Sequence, residues 1–245
     1  MNKFRFTEFK DKRIKYLVID IERRQESNTD FIMTSVSMIG MNRSLQTIFH
    51  HDVFLADSLK CDDFVGNVIN KEFLSTTNYM AYTWKPEWFV ENLFESLQYG
   101  RDGNIEIVAH NANFDQKVFE KLFKDHDYPF FWNDKEFKNG NGKEGLFSHN
   151  VHDTRLVGQL FRVHKQQTEN VDSKSTLGAT AEALGITVQQ NLLHCSRYDC
   201  YLTSMIFLVS QEILECYKQS KIVKISAANN LDYKAIYEIE SESES

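Results

Sequence analysis

The run Tyr16-Leu17-Val18-Ile19-Asp20-Ile21-Glu22 decides how this chain reads. Residues 16–21 are apolar except for Asp20, the pattern of a buried strand. Strand alternation sends side chains two positions apart to the same face, so Asp20 and Glu22 share one small space. Two ionised carboxylates that close repel, and a divalent cation is the usual way for a protein to hold both charged. An all-oxygen set suits magnesium or manganese.

Outward from this strand, residues 31–40 and 45–54 are rich in β-branched and aromatic side chains and predict an antiparallel meander with it. Residues 57–85 read as irregular. Pro86 then opens an amphipathic helix with Phe89, Val90, Leu93, Phe94 and Leu97 on one face and Gly100 and Gly103 just past its expected end. Residues 105–109 read as a short buried strand. A helix follows from about residue 113, with Phe114, Val118, Phe119, Leu122 and Phe123 spaced at three and four, which puts Asp115 in its first turn.

Residues 133–145 read as a long polar loop of the kind that carries function, followed by a strand over 147–152, a helix over 154–161 and a second polar loop over 162–175. Leu177, Ala181 and Leu184, closed by Gly185, mark another helix. The last long helix buries Leu202, Met205, Ile206, Val209 and Ile213. Asp199 precedes Leu202 by three and lies at the edge of that inward face, with His194 in the preceding turn. Strands followed by helices and interspersed βα units indicate an α/β domain with a mixed sheet flanked by helices. In such sheets the site forms where strand ends meet helix starts.

The bulk properties narrow the class. A chain of 245 residues is expected to form one sizeable core. Hydrophobic residues make up 42% and there are 19 Phe, which argues for a packed globular protein rather than a disordered one. A net charge of −7 does not by itself announce a nucleic-acid binder, but a local basic rim is enough to hold phosphate. Cys61, Cys195, Cys200 and Cys216 form no CxxC pair and read as reduced thiols. Cys195 and Cys200 beside His194 lack a fourth ligand at a spacing that would make a zinc site. No segment resembles a signal sequence or approaches the roughly 20 apolar residues of a membrane span, so a soluble cytoplasmic protein without membrane contact is expected.

Taken singly, the acidic residues have plain structural readings: solvated groups at a strand end, or, for Asp115, a first-turn acid favouring the helix dipole. Together they are the cage that phosphodiester hydrolysis needs. That reaction requires an activated water, charge stabilisation at phosphorus and a stabilised leaving 3′ oxygen, which two cations about 3.5 to 4 Å apart provide. His194 adds a group able to accept the water's proton near neutrality.

The order Asp20-Ile21-Glu22, then His110-Asn111-Ala112-Asn113-Phe114-Asp115 after the strand IEIVA, then His194 and Asp199, resembles the DEDDh branch of the DnaQ-like 3′–5′ exonucleases, a superfamily with an RNase H-like fold. Asp153-Thr154 and the stretch LGATAEALGI add to the resemblance, which spans residues 14–210. It implies metal binding by Asp20, Glu22, Asp115 and Asp199, two magnesium or manganese ions per site, His194 as general base, and a supporting or substrate-contacting role for Asn111. It further implies release of nucleoside 5′-monophosphates from single-stranded DNA or RNA 3′ ends, with DNA slightly favoured.

The alternatives in the same frame are a non-catalytic nucleic-acid-binding subunit of a replication or RNA-processing complex, with a polymerase or processing complex as partner, and an oligoribonuclease-like enzyme. Where the family commonly has small hydroxyl residues and a glycine after the first motif, this chain has Arg23, Arg24 and Gln25. Arg23 or Arg24 is therefore either a phosphate contact or part of a solvated charged turn. The basic residues Lys3, Arg5, Lys10, Lys12, Arg13 and Lys15 form either an electrostatic guide for the strand or a solubilising flank. Phe130, Phe131 and Trp132 are candidate base-stacking groups. The exonuclease domain is expected over residues 1–215, followed by an extension over 216–245 with a disordered acidic tail.

Overall fold

A computed structural model describes residues 13–25, 31–55, 83–128, 145–169 and 175–219. Five strands, β1 (Ile14–Gln25), β2 (Phe31–Met41), β3 (Thr47–Phe54), β4 (Arg101–Ala109) and β5 (Phe147–Asp153), form one sheet in the order β3-β2-β1-β4-β5. The first three are antiparallel neighbours, while β4 and β5 run parallel to β1. The helices are α1 (Pro86–Gly100), α2 (Ala112–Asp125), α3 (Arg155–Glu169), α4 (Leu177–Ala183) and α5 (Ser196–Gln219), with a short 3-10 turn at Gln190–Leu192 before α5.

The apolar run of β1 is continuous because the strand is central. Leu17, Ile19 and Ile21 join a core with Phe89, Leu93 and Leu97 of α1 and Val118, Phe119 and Phe123 of α2. Val18 turns to the opposite face and packs with Ile39, Val108 and, from α5, Cys200 and Phe207. A strand covered on both faces has no polar side to show, hence the unbroken Leu-Val-Ile. Phe119, Phe123 and Phe147 meet edge to face at 5.2 to 6.3 Å and are fully buried, each contributing roughly 1.5–3 kcal/mol relative to exposure. Gly40 allows the Phe49 ring of the neighbouring strand to lie across β2, for a Cβ there would fall 1.9 Å from Phe49 Cε1.

Several boundaries differ from the sequence reading. α3 runs on to Glu169 where polar composition predicts a loop from 162, because the stretch HKQQTE holds no glycine or proline and consists largely of tolerable helix formers. Its outer side exposes Leu156, Leu160 and Val163. β4 begins at Arg101, directly after α1, so Gly103 falls in a strand rather than beyond a helix end. Leu45, expected to open β3, sits in a turn at φ 60°, and β3 starts at Thr47. α5 continues to Gln219 through the expected domain limit. Most of segment 57–85, the loop over 133–144, the acidic tail, the basic residues before Arg13 and the aromatics Phe130, Phe131 and Trp132 lie outside the described residues. No helix among the described residues is long and apolar enough to cross a membrane.

Candidate metal-dependent active site

β1 outruns its parallel neighbour. Pairing with β4 reaches Val18 opposite Val108, and β4 stops at Ala109. The chain then turns through His110 and Asn111 into α2. Asn111 adopts φ 70° and ψ 48°, a left-handed conformation that asparagine tolerates. Its N–H donates to Asp153 Oδ1 at 2.9 Å, its carbonyl accepts from Phe114 N–H, and its side chain makes no cap hydrogen bond. In the first turn of α2, Asp115 Oδ1 accepts the N–H of Ile21 at 3.0 Å. The helix carboxylate thus replaces the acceptor that a longer β4 would have offered to β1.

Asp20 and Glu22 stand opposite Ser37 and Ser35 of β2 and share the face covered by α5. Immediately after Glu22 the register shifts, so that Arg23 pairs with Met33 and Thr34 is the extra residue. Thr34 Oγ1 donates to the carbonyl of Glu22 at 3.0 Å, which fixes the backbone there. Arg23 faces the other side of the sheet: its guanidinium lies 5.0 Å from the Phe31 ring centroid and 4.6 Å from that of Phe114. Arg24, two positions beyond Glu22, falls on the carboxylate side by strand alternation.

The remaining pair comes from α5 and the turn before it. His194 takes a left-handed φ of 69° and its N–H donates to Asp199 Oδ2 at 3.1 Å. Asp199 N–H in turn donates to the Cys195 carbonyl at 2.9 Å, closing the first turn of the helix. Asp199 is buried, whereas His194 is exposed. A carboxylate in the first turn is also favoured by the helix dipole.

Burial raises all four carboxylates, and repulsion from the others adds to it at Asp20 and Glu22. Asp20 is pushed well above the ordinary carboxylate range, first by burial and then by Asp115, Asp199 and Glu22. Glu22 is pushed up to about 8 by burial, then by Asp199 and Asp115. Asp115 also rises to about 8 through burial, which the bond from Ile21 N–H offsets in part. Asp199 rises to about 6, burial again leading, with the N–H and the imidazole of His194 pulling the other way. These groups share one neighbourhood without closing on a single point: among the described residues no three His, Cys, Asp or Glu side chains form a group arranged to hold a metal ion. The fit to divalent cations rests on donor chemistry, four hard oxygen ligands, and on Asp199 Oδ1, a buried oxygen without a hydrogen-bond partner among the described residues.

Two residues of the motifs that the sequence left without a role support this corner. Asp153 Oδ1 accepts the N–H groups of both Asn111 and Arg155 at 2.9 Å, tying the β4–α2 turn to the start of α3. His110 spans the same corner, with Nδ1 3.1 Å from Thr154 Oγ1 and Nε2 3.2 Å from the Ser175 carbonyl. A carbonyl can only accept, so Nε2 carries the proton, and burial holds the imidazole below its usual titration range in this neutral form. The Asp153-Thr154 pair after β5 is the sequence signal that points to this corner.

No protein-family model and no curated protein matches the sequence. Solved structures do share its fold. Exonuclease I aligns with a TM-score of 0.55 at 15% identity, over 80% of this chain and 40% of that one. E. coli exonuclease I in a zinc-bound form with single-stranded DNA aligns at 0.56 and 14% identity, over 84% and 44% of the two chains. The same enzyme with a dT13 oligonucleotide gives 0.56 and 14%, over 83% and 42%. This chain therefore spans less than half the length of those structures. What the likeness shows is the fold, the RNase H-like mixed five-stranded sheet flanked by helices.

Proposed function

We propose that this chain is a divalent-metal-dependent 3′–5′ exonuclease that removes nucleoside 5′-monophosphates from single-stranded nucleic acid, DNA before RNA. The observation that carries the reading is the neighbourhood shared by Asp20 and Glu22 from β1, Asp115 from α2 and Asp199 from α5, with a buried Asp199 oxygen that has no hydrogen-bond partner among the described residues. The solved complexes of E. coli exonuclease I with single-stranded DNA and dT13, which share this fold, support the substrate class.

Asp20, Glu22, Asp115 and Asp199 would hold two magnesium or manganese ions. When bound, these supply water activation and charge stabilisation at the leaving oxygen. His194, exposed beside Asp199, accepts the proton of the attacking water and passes it to solvent. Water attacks the terminal phosphorus, the bond from phosphorus to the 3′ oxygen of the penultimate nucleotide breaks, and the leaving oxygen is protonated to a 3′ hydroxyl. Asn111, whose side chain is not used in capping, and Arg24, on the carboxylate side of β1, would contact the substrate. Arg23, on the other face of the sheet between the Phe31 and Phe114 rings, takes no part in substrate contact in this reading.

The test is a time course on oligonucleotides labelled at the 5′ end, single and double stranded, DNA and RNA. A ladder of shortening products that requires added magnesium or manganese is expected. Release of the labelled mononucleotide first, or undiminished cleavage in excess chelator, would overturn the reading.

A further inference from the structure

Asp20, Ser37 and Asp52 form a row across β1, β2 and β3, since Ser37 is the register partner of both acids. Ser37 is fully buried. Its Oγ lies 2.6 Å from Asp52 Oδ1 and 3.2 Å from Ser196 Oγ. A hydroxyl has one proton and a carboxylate oxygen only accepts, so Ser37 donates to Asp52 and accepts from Ser196. Asp52 also meets Arg197 Nε at 3.4 Å and His50 Nε2 at 3.3 Å. The Arg197 side chain is 70% exposed, and an ion pair of that kind contributes little. The buried serine pair is the anchor.

Ser196 is the first residue of α5, and Asp199 lies in the same turn with His194 bonded to it. These bonds close the turn, and the Ser37 hydroxyl, together with Cys200 Sγ on the Val18 carbonyl at 3.6 Å, ties it to the sheet beside Asp20. We infer that Ser37, held between Asp52 and Ser196, is a positioning residue that sets where Asp199 and His194 stand relative to Asp20. The inference rests on the exonuclease reading only for its activity arm. Partners of this kind behind metal ligands typically change metal affinity or turnover by roughly 10- to 100-fold when removed.

The experiment measures, for the full chain, the Mn2+ concentration at the midpoint of the cation-induced rise in Tm, together with kcat and KM for nucleotide release from an oligonucleotide. Ser37→Ala should move the Mn2+ midpoint upward and lower kcat by roughly 10- to 100-fold each while KM stays near wild type. Ser196→Ala removes the same contact from the helix side and should act alike. Asp52→Asn, which keeps an acceptor oxygen for the serine, should stay close to wild type. Val53→Ala, on the other face of β3, should lower Tm without moving the midpoint. A wild-type midpoint in both serine variants overturns the inference, as does an equal shift in Val53→Ala or a wild type with no Mn2+ response. If wild type responds to Mn2+ but releases no nucleotide, the exonuclease reading fails and the midpoints still decide the role of Ser37.

Discussion

Asp115 Oδ1 stands 3.0 Å from the N of Ile21 and accepts its proton, so a helix carboxylate is bonded into the backbone between Asp20 and Glu22. That bond separates two variants. Asp115→Asn retains an oxygen to accept the N–H and carries no charge at any pH, so it should fold as well as wild type or better and release no nucleotide. Asp115→Ala strands a buried donor and should in addition lose about 1–3 kcal/mol relative to Asn. Urea unfolding of the two variants side by side checks this, and equal stability would mean the bond does not form in solution.

The raised carboxylates fix the sign of a pH effect. Glu22 and Asp115 at about 8 and Asp199 at about 6 keep protons in the folded chain that the unfolded chain releases near 4. Their contribution to stability is full below that lower value and lost as pH rises through 6 to 8. Without divalent cations, Tm should fall between pH 5 and pH 8. Adding Mg2+ or Mn2+ should raise Tm more at pH 8 than at pH 5, where protons compete for the same oxygens. Glu106 acts oppositely: burial raises it, but bonds from Lys15 and His152 outweigh that and lower it, so its effect is confined to acid below the ordinary carboxylate range. A cation-free Tm that climbs from pH 5 to pH 8 would contradict the arrangement.

His194 should cost turnover rather than cation binding. Replacing it is expected to slow nucleotide release by roughly 10² to 10⁴, the usual contribution of a general base, while the Mn2+-induced rise in Tm persists. His194→Asn is the better variant because asparagine accepts the left-handed φ of 69°, whereas His194→Ala adds backbone strain on the order of 1 kcal/mol. A variant with near-normal rates would make the imidazole a bystander.

Asp153→Ala should act at a distance from the carboxylates. It leaves the N–H groups of Asn111 and Arg155 without their acceptor, at a cost of about 1–3 kcal/mol for each that stays buried. The Asn111 pivot then loosens, and turnover should drop with stability. Hydrogen exchange at those two amides, faster in the variant than in wild type, is the direct readout.

Much of the fold was legible because its signals are local. The apolar run of residues 16–21, the β-branched and aromatic content of 31–40 and the three-four spacing from Phe114 to Phe123 each belong to one element. The first-turn position of Asp115 was legible for the same reason, whereas Asp20 and Glu22, expected at a strand end, lie within β1, which runs on to Gln25. The contact between Asp115 and Ile21 was not, since it joins residues 94 apart through a register that no local pattern encodes. Nor was the serine row, for a serine on a buried strand looks like any small polar residue until its partners from β3 and α5 are known. Arg23 is a different case: strand alternation from Asp20 and Glu22 already places it on the far face, and its neighbours Phe31 and Phe114 account for the charge being tolerated there.

Asn111 before α2 and His194 before α5 both hold a left-handed backbone near φ 70°. Few residue types sit there without strain, and β-branched ones are the poorest of all. The repertoire of substitutions open at these two corners is therefore narrow, whatever the substrate. Any retuning of this site, in the laboratory or in nature, has more room at Arg24, where extended strand backbone admits almost every side chain.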